Sequence, residues 1–293
     1  MARQHPILPF LATAAGIGTF SLMDATMKSA AIAAGVYSAL LLRCAFGTLL
    51  MLPIWLLADW QRPSLAAIRV HWLRSAVVAA MALLFFWGLV RVPLAEAIAL
   101  SFIAPLIALY LAAVLLGEKI QRSAIIASLL GFSGVLVIAG ARLAEGTLNA
   151  RSGWGIAAVL VSAVLYAWNL ILQRQQAQLA SPPEISFFQN LFVAVILSLA
   201  APWLLHWPGA AALKDIALSA ALAAAAVMLL SWGYARAEAQ ALLPVEYTGF
   251  IWAALFGWLM FGEEVTLATL AGVVLIVIGS WIAARKPGII SKF

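Results

Sequence analysis

Charge and cysteine are what this sequence lacks. Only 10% of its 293 residues are charged, while 66% are hydrophobic and the mean hydropathy is +1.07. A soluble domain carries roughly 25% charged residues. So apolar a surface needs lipid as its solvent. The single cysteine, Cys44, excludes internal disulfides and cysteine-based metal sites. Histidine is scarce too. His5, His71 and His206 fall at or beyond the ends of the apolar runs, which leaves no histidine relay inside the membrane. There is no His-Glu-x-x-His, no Gly-x-Ser-x-Gly and no phosphate-binding glycine loop ahead of a helix. Zinc or serine hydrolysis and ATP-driven pumping therefore have no motif behind them. No enzyme activity, cofactor or metal is expected. The net charge of +6 is spread over short loops and makes no nucleic-acid patch.

What the chain has in abundance is long apolar runs. Ten have membrane-spanning length, at about residues 7–29, 36–58, 72–90, 94–116, 123–141, 153–173, 185–206, 213–235, 239–261 and 266–284. The first lacks a small-x-small cleavage site and continues into a full span, so it reads as a helix that stays. The longest polar connections are 59–71 and 142–152, and the second divides the runs five and five.

The halves repeat each other at an offset of 145. Trp87-Gly88-x-x-Arg91 returns as Trp232-Gly233-x-x-Arg236, Gly117-Glu118 as Gly262-Glu263, and Gly134 as Gly279. Five spans per unit put the second unit into the membrane from the opposite side, giving an inverted repeat. With the N-terminus inside, the inner segments hold eleven Lys and Arg (Arg3, Arg62, Arg69, Arg74, Lys119, Arg122, Arg174, Arg236, Arg285, Lys286, Lys292). The outer segments hold five (Lys28, Arg91, Arg142, Arg151, Lys214). Both termini are thus expected in the cytoplasm. The expected fold is an all-α integral membrane protein of ten helices in two inverted units, 1–145 and 146–293. Inverted units have two near-equivalent packings, one open to each side, which points to a transporter.

Gly117-Glu118 and Gly262-Glu263, closing the fourth helix of each half, resemble the EamA-type branch of the drug/metabolite transporter superfamily. Pro105, the glycine-spaced fifth and tenth spans and an arginine within the second span, Arg43, add to the likeness. Within that branch the chain is most similar to bacterial exporters of amino acids, aromatic ones in particular. The resemblance implies a bacterial inner-membrane protein with a cavity lined by spans 1–4 and 6–9, and a small-molecule substrate moved outward. A multidrug or cationic-dye exporter is the alternative within the class, and a non-transporting scaffold the alternative outside it. Either a monomer or a homodimer is compatible with the small-xxx-small patterns Ala127-x3-Gly131 and Ala268-x3-Gly272.

Ionisable groups at membrane depth must be paired or wetted. Arg43 is either a capture point for a substrate carboxylate or a structural arginine bonding helix-end carbonyls. Its nearest counterpart in the second half is Gln189. Asp24 and Lys28 form an i,i+4 pair that is either locally neutral or a gate or zwitterion site. Glu96 suits the positive end of the fourth span. Glu246, after Pro244, is a candidate cavity group. Glu118 and Glu263 end their helices against the dipole, so each is expected to find another partner and act as an anchor. Proton antiport would fall to Asp24, Glu96 or Glu246; facilitated diffusion stays equally open. Candidates for an aromatic cavity wall are Phe20 and Met23 on the first span, Phe85 and Trp87 on the third, and Phe102 on the fourth. Tyr166, Trp168 and Asn169 on the sixth, Phe188 and Gln189 on the seventh, Trp232 on the eighth and Tyr247 on the ninth complete the set. Trp55, Trp60, Trp72, Trp154, Trp203, Trp207 and Trp281 sit near span ends and fit an interfacial belt.

Overall fold

A glycine with positive φ, Gly35 (φ 81°), is the only residue between the first two helices, α1 (Ile7–Ala34) and α2 (Val36–Ala58). The computed structural model describes residues 7–58, 63–104, 106–108, 110–111, 122–144, 149–234, 236, 245 and 247–284. Among them every regular element is helical. After α2 come α3 (Leu65–Leu89), α4 (Leu94–Ser101), α5 (Arg122–Ala144) and α6 (Ala150–Ala177). Then follow α7 (Pro182–Ser198), a single turn Ala201–Leu204, α8 (Ala210–Tyr234), α9 (Gly249–Phe261) and α10 (Leu267–Ala284).

Local chemistry sets the ends. Ser64 Oγ accepts from the Ala67 N–H at 3.1 Å and caps α3. Asn149 and Ser152 make a reciprocal capping box at α6. Pro182 and Pro183 begin α7, where a missing N–H costs nothing. The Ser64 cap starts α3 seven residues before the expected 72. His71 and Arg74 therefore lie inside the helix and are buried, His71 with 0% exposure. This corrects the placing of His71 at a helix end and of Arg74 among the inner loop charges.

α1, α2, α3, α6 and α8 are long and apolar enough to cross a bilayer. Large apolar side chains stand on the outside: Leu57 is 87% exposed and Leu267 84%. Water would penalise that surface heavily, and lipid does not.

The most extensive packing runs across the two halves. α1 lies on α8, α3 on α6, α2 on α7 and α5 on α10. At the α5–α10 crossing a Cβ on Gly134 would stand 2.5 Å from the Gly272 carbonyl, and one on Gly272 2.7 Å from the Gly134 carbonyl. These small residues are used for packing within one chain. The repeated Trp-Gly-x-x-Arg motif has a similar reason. A Cβ on Gly88 would meet the Gly155 carbonyl of α6 at 2.7 Å, and one on Gly233 would meet Thr13 of α1 at 2.4 Å. In both halves the arginine folds back on the helix end. Arg91 donates to the Trp87 carbonyl (2.6 Å) and lies 3.4 Å from the centre of its ring; Arg236 repeats this at Trp232, at 3.2 and 4.3 Å. The motif is a close helix crossing followed by a cationic cap.

Candidate functional site

Both halves interrupt the same helix at the same place. α4 ends at Ser101, and the chain passes through Phe102 and Ile103 as a turn. Residue 105 is proline, which has no N–H to offer the Ser101 carbonyl. α9 begins at Gly249 after the turn residues Tyr247 and Thr248. An offset of 145 carries 102 to 247 and 103 to 248. The two rings at the breaks meet edge to face, 5.3 Å apart at 88°. Ser21 of α1 reaches the same point and donates to the Gly249 carbonyl at 3.3 Å. Interrupted helices in matching positions of two repeats are where such bundles bind solutes, because freed backbone groups there can meet a ligand. Glu246, expected beside them, lies outside the described residues, as do Glu118 and Trp60.

Arg43 stands half-buried on α2. Among the described residues its guanidinium reaches only two sulfurs, Met23 Sδ at 4.0 Å and Cys44 Sγ at 3.8 Å. Its Nε is buried without an acceptor. An unmet buried donor costs about 1–3 kcal/mol. Lys28 is engaged elsewhere, which corrects the expected local pair of Asp24 with Lys28.

Lys28 is buried and forms an ion pair with Glu263 from the other half. It also donates to the Val92 carbonyl at 2.8 Å. The second oxygen of Glu263 accepts from the Leu94 N–H at 2.6 Å. Gly262, left-handed at φ 65°, ends α9 and turns Glu263 away from it. The carboxylate leaves the negative end of its own helix and settles on the positive end of α4. Glu96 is buried in the first turn of that helix.

A second buried polar cluster lies at the other end of α3. Arg74 Nε donates to Asn169 Oδ1 at 2.8 Å, one terminal nitrogen to Gln176 Oε1, and the other to Gln173 Oε1 at 3.3 Å. Gln176 Nε2 meets His71 Nδ1, and His71 Nε2 meets Glu184 Oε1 of α7 at 3.1 Å. Asn169 is thus held by Arg74. Phe188 stacks on the His71 ring, with centroids 5.1 Å apart. Arg74, His71, Gln176 and Glu184 are absent from the expected site because all four fall near the ends of apolar runs. The spacing of three amide side chains at i, i+4 and i+7 of α6 (Asn169, Gln173, Gln176), which places them on one face, was the signal available.

The remaining candidates scatter. Phe20 and Phe85 are half-buried against the core, and Met23 is buried. Gln189 is half-buried. Tyr166 and Trp168 are 39% and 38% exposed, close to Trp87 and Trp232 at 37% and 39%. Trp87 and Trp232 give their ring faces to the arginines of their own motif, and Trp232 also lines a cavity between α1 and α8 with Leu8, Leu11, Ala12, Met228 and Leu229. Trp55 corrects the belt: it is buried and stacked on Phe187 at 4.7 Å.

A two-part helical bundle with paired interrupted helices and apolar flanks defines a multi-pass membrane transporter. The model of the EamA-like transporter family matches residues 8–140 and again 153–285, and the chain belongs to that family. It is 29% identical over 270 residues to the pseudopaline exporter CntI of Pseudomonas aeruginosa, covering 89% of this chain and 90% of the relative. It is 29% identical over 210 residues to the riboflavin transporter of Rhizobium johnstonii, covering 69% and 67%. A protein crystal structure of 20% identity shares the fold, with a TM-score of 0.62 over 94% of this chain and 99% of that one.

Proposed function

We propose that this protein exports amino acids, the aromatic and large neutral ones, and related metabolites across the bacterial inner membrane by alternating access. Its ten spans form two inverted units, 1–145 and 146–293, with both termini in the cytoplasm. The carrying observation is Arg43. A half-buried guanidinium whose Nε has no acceptor among the described residues offers the charge that a substrate carboxylate needs, and Asp24 of α1 is the candidate partner for its ammonium. The edge-to-face pair Phe102–Tyr247 marks where an apolar or planar side chain would lie. Among relatives, one named an exporter agrees with outward movement. A multidrug exporter would want a lone central carboxylate, and the arginine within the second span, Arg43, counts against it.

The test is flux of labelled amino acids into liposomes holding the purified protein, with and without a pH gradient. Saturable movement of phenylalanine, tryptophan or leucine supports the reading. Movement of a cationic dye with no amino-acid flux overturns it in favour of drug export.

A further inference from the structure

The cluster at the start of α3 has only one consistent arrangement of its protons. Arginine donates and never accepts. The atom of Gln176 that meets Arg74 is therefore its oxygen, and its amide nitrogen must face His71 Nδ1. Facing an N–H, Nδ1 must be the acceptor, so the ring proton sits on Nε2. Nε2–H then donates to the Glu184 carboxylate at 3.1 Å. The donors all point one way, from Arg74 through Gln176 and His71 to Glu184. They tie α3 of the first half to α6 and α7 of the second, and all four side chains are buried.

We infer that His71 and Glu184 form a proton-binding site, and that its occupancy decides whether the α3–α6–α7 seam is closed. A proton arriving at His71 can add only at Nδ1, where it meets the Gln176 N–H. Two donors cannot share that contact, so the amide must turn. Turning takes its oxygen off Arg74 and sets its N–H groups against the guanidinium, so the seam loses one of the three bonds Arg74 makes to α6. The new charge is opposed by the burial of the ring, held by Glu184 from α7 and opposed by Arg74 from α3 itself. Among the described residues α6 contributes the amides of Asn169, Gln173 and Gln176 and, next to Arg74, Tyr166. From α2 comes the uncharged Trp55, against the Phe188 ring that stacks on His71. Histidine is the side chain whose charge ordinarily changes within the physiological pH range, which makes it the group of this cluster suited to take up the proton. As the proton step of the transport cycle, the site rests on the reading given under Proposed function; as a proton-operated seam it does not.

The test needs no substrate. Spin labels are placed at the exposed positions Arg69 on α3 and Gln175 on α6 of the full chain, in a Cys44→Ala background, and their separation is followed from pH 8 to pH 5. A longer-distance population is expected to grow as pH falls. His71→Gln, which keeps a hydrogen-bonding side chain but takes no proton, should fix the separation at every pH. Glu184→Gln removes the charge that favours the histidinium, so the midpoint should move to lower pH. Unchanged distances in the wild-type background, or the same pH response in His71→Gln, would overturn the inference. A seam that opens with acid in a protein that moves no amino acid would retain the proton site and refute only the transport reading.

Discussion

Two arginines lie inside this helical bundle, and they are treated in opposite ways. Arg74 has all its polar edges filled by Asn169, Gln173 and Gln176. Among the described residues Arg43 has two distant sulfurs and an Nε without an acceptor. The desolvation cost of a buried guanidinium is similar wherever it sits, and acceptors must offset it. The protein supplies them for Arg74 and withholds them from Arg43. The first arginine holds two halves together; the second is left with bonding capacity that a bound carboxylate would use.

This contrast can be broken by mutation. The largest loss of stability should come from Arg74→Ala, which strands the buried amide oxygens of Asn169 and Gln176 and costs about 2–5 kcal/mol, read as a lowered unfolding temperature in detergent. Arg74→Lys should recover only part of it, because an ammonium lacks the planar fork. Glu263→Ala should fall in the same range of about 3 kcal/mol or somewhat less, since it takes the Glu263 carboxylate away from buried Lys28. The double change Lys28→Met with Glu263→Gln should cost less than Glu263→Ala alone, a non-additivity that a mutant cycle detects. Arg43→Ala should change stability by less than about 1 kcal/mol, having few bonds to lose, yet abolish flux in liposomes. Equal destabilisation by Arg43→Ala and Arg74→Ala would remove the distinction between them. Smallest of all, Trp232→Leu should cost about 0.5–1 kcal/mol, the worth of an exposed cation–π contact with Arg236. Trp168→Ala should shift the preference among transported amino acids with little change in unfolding temperature.

Much of the fold could be read from the chain because lipid imposes a coarse rule. Apolar runs of the right length must be helices, and the repeated Trp, Gly, Arg and Glu aligned the halves without a gap. The expectation that Glu263 needs a partner other than its own helix end was sound, because dipoles act locally. Which partner it takes was not legible: Lys28 is 235 residues away in sequence. His71, Arg74 and Glu184 were hidden for a related reason. A polar residue within two turns of a helix end looks like a loop residue until packing reveals which face is covered. Trp55 misled in the same way, since tryptophan near a span end suits a headgroup belt and a buried stack equally well.

Each helix that pairs most closely does so with a partner from the opposite half, so neither half can cover its own faces. This has a consequence during synthesis. When α1, α2 and α3 enter the membrane, the surfaces meant for α8, α7 and α6 have only lipid and translocation machinery to meet. At 5–20 residues per second the second half takes roughly 7–30 s to appear. The buried Lys28 and Arg74 must wait through that interval for partners not yet made. A first half expressed alone would remain in that waiting state and become a substrate for membrane proteases, and two separately encoded halves would be stable only when made together.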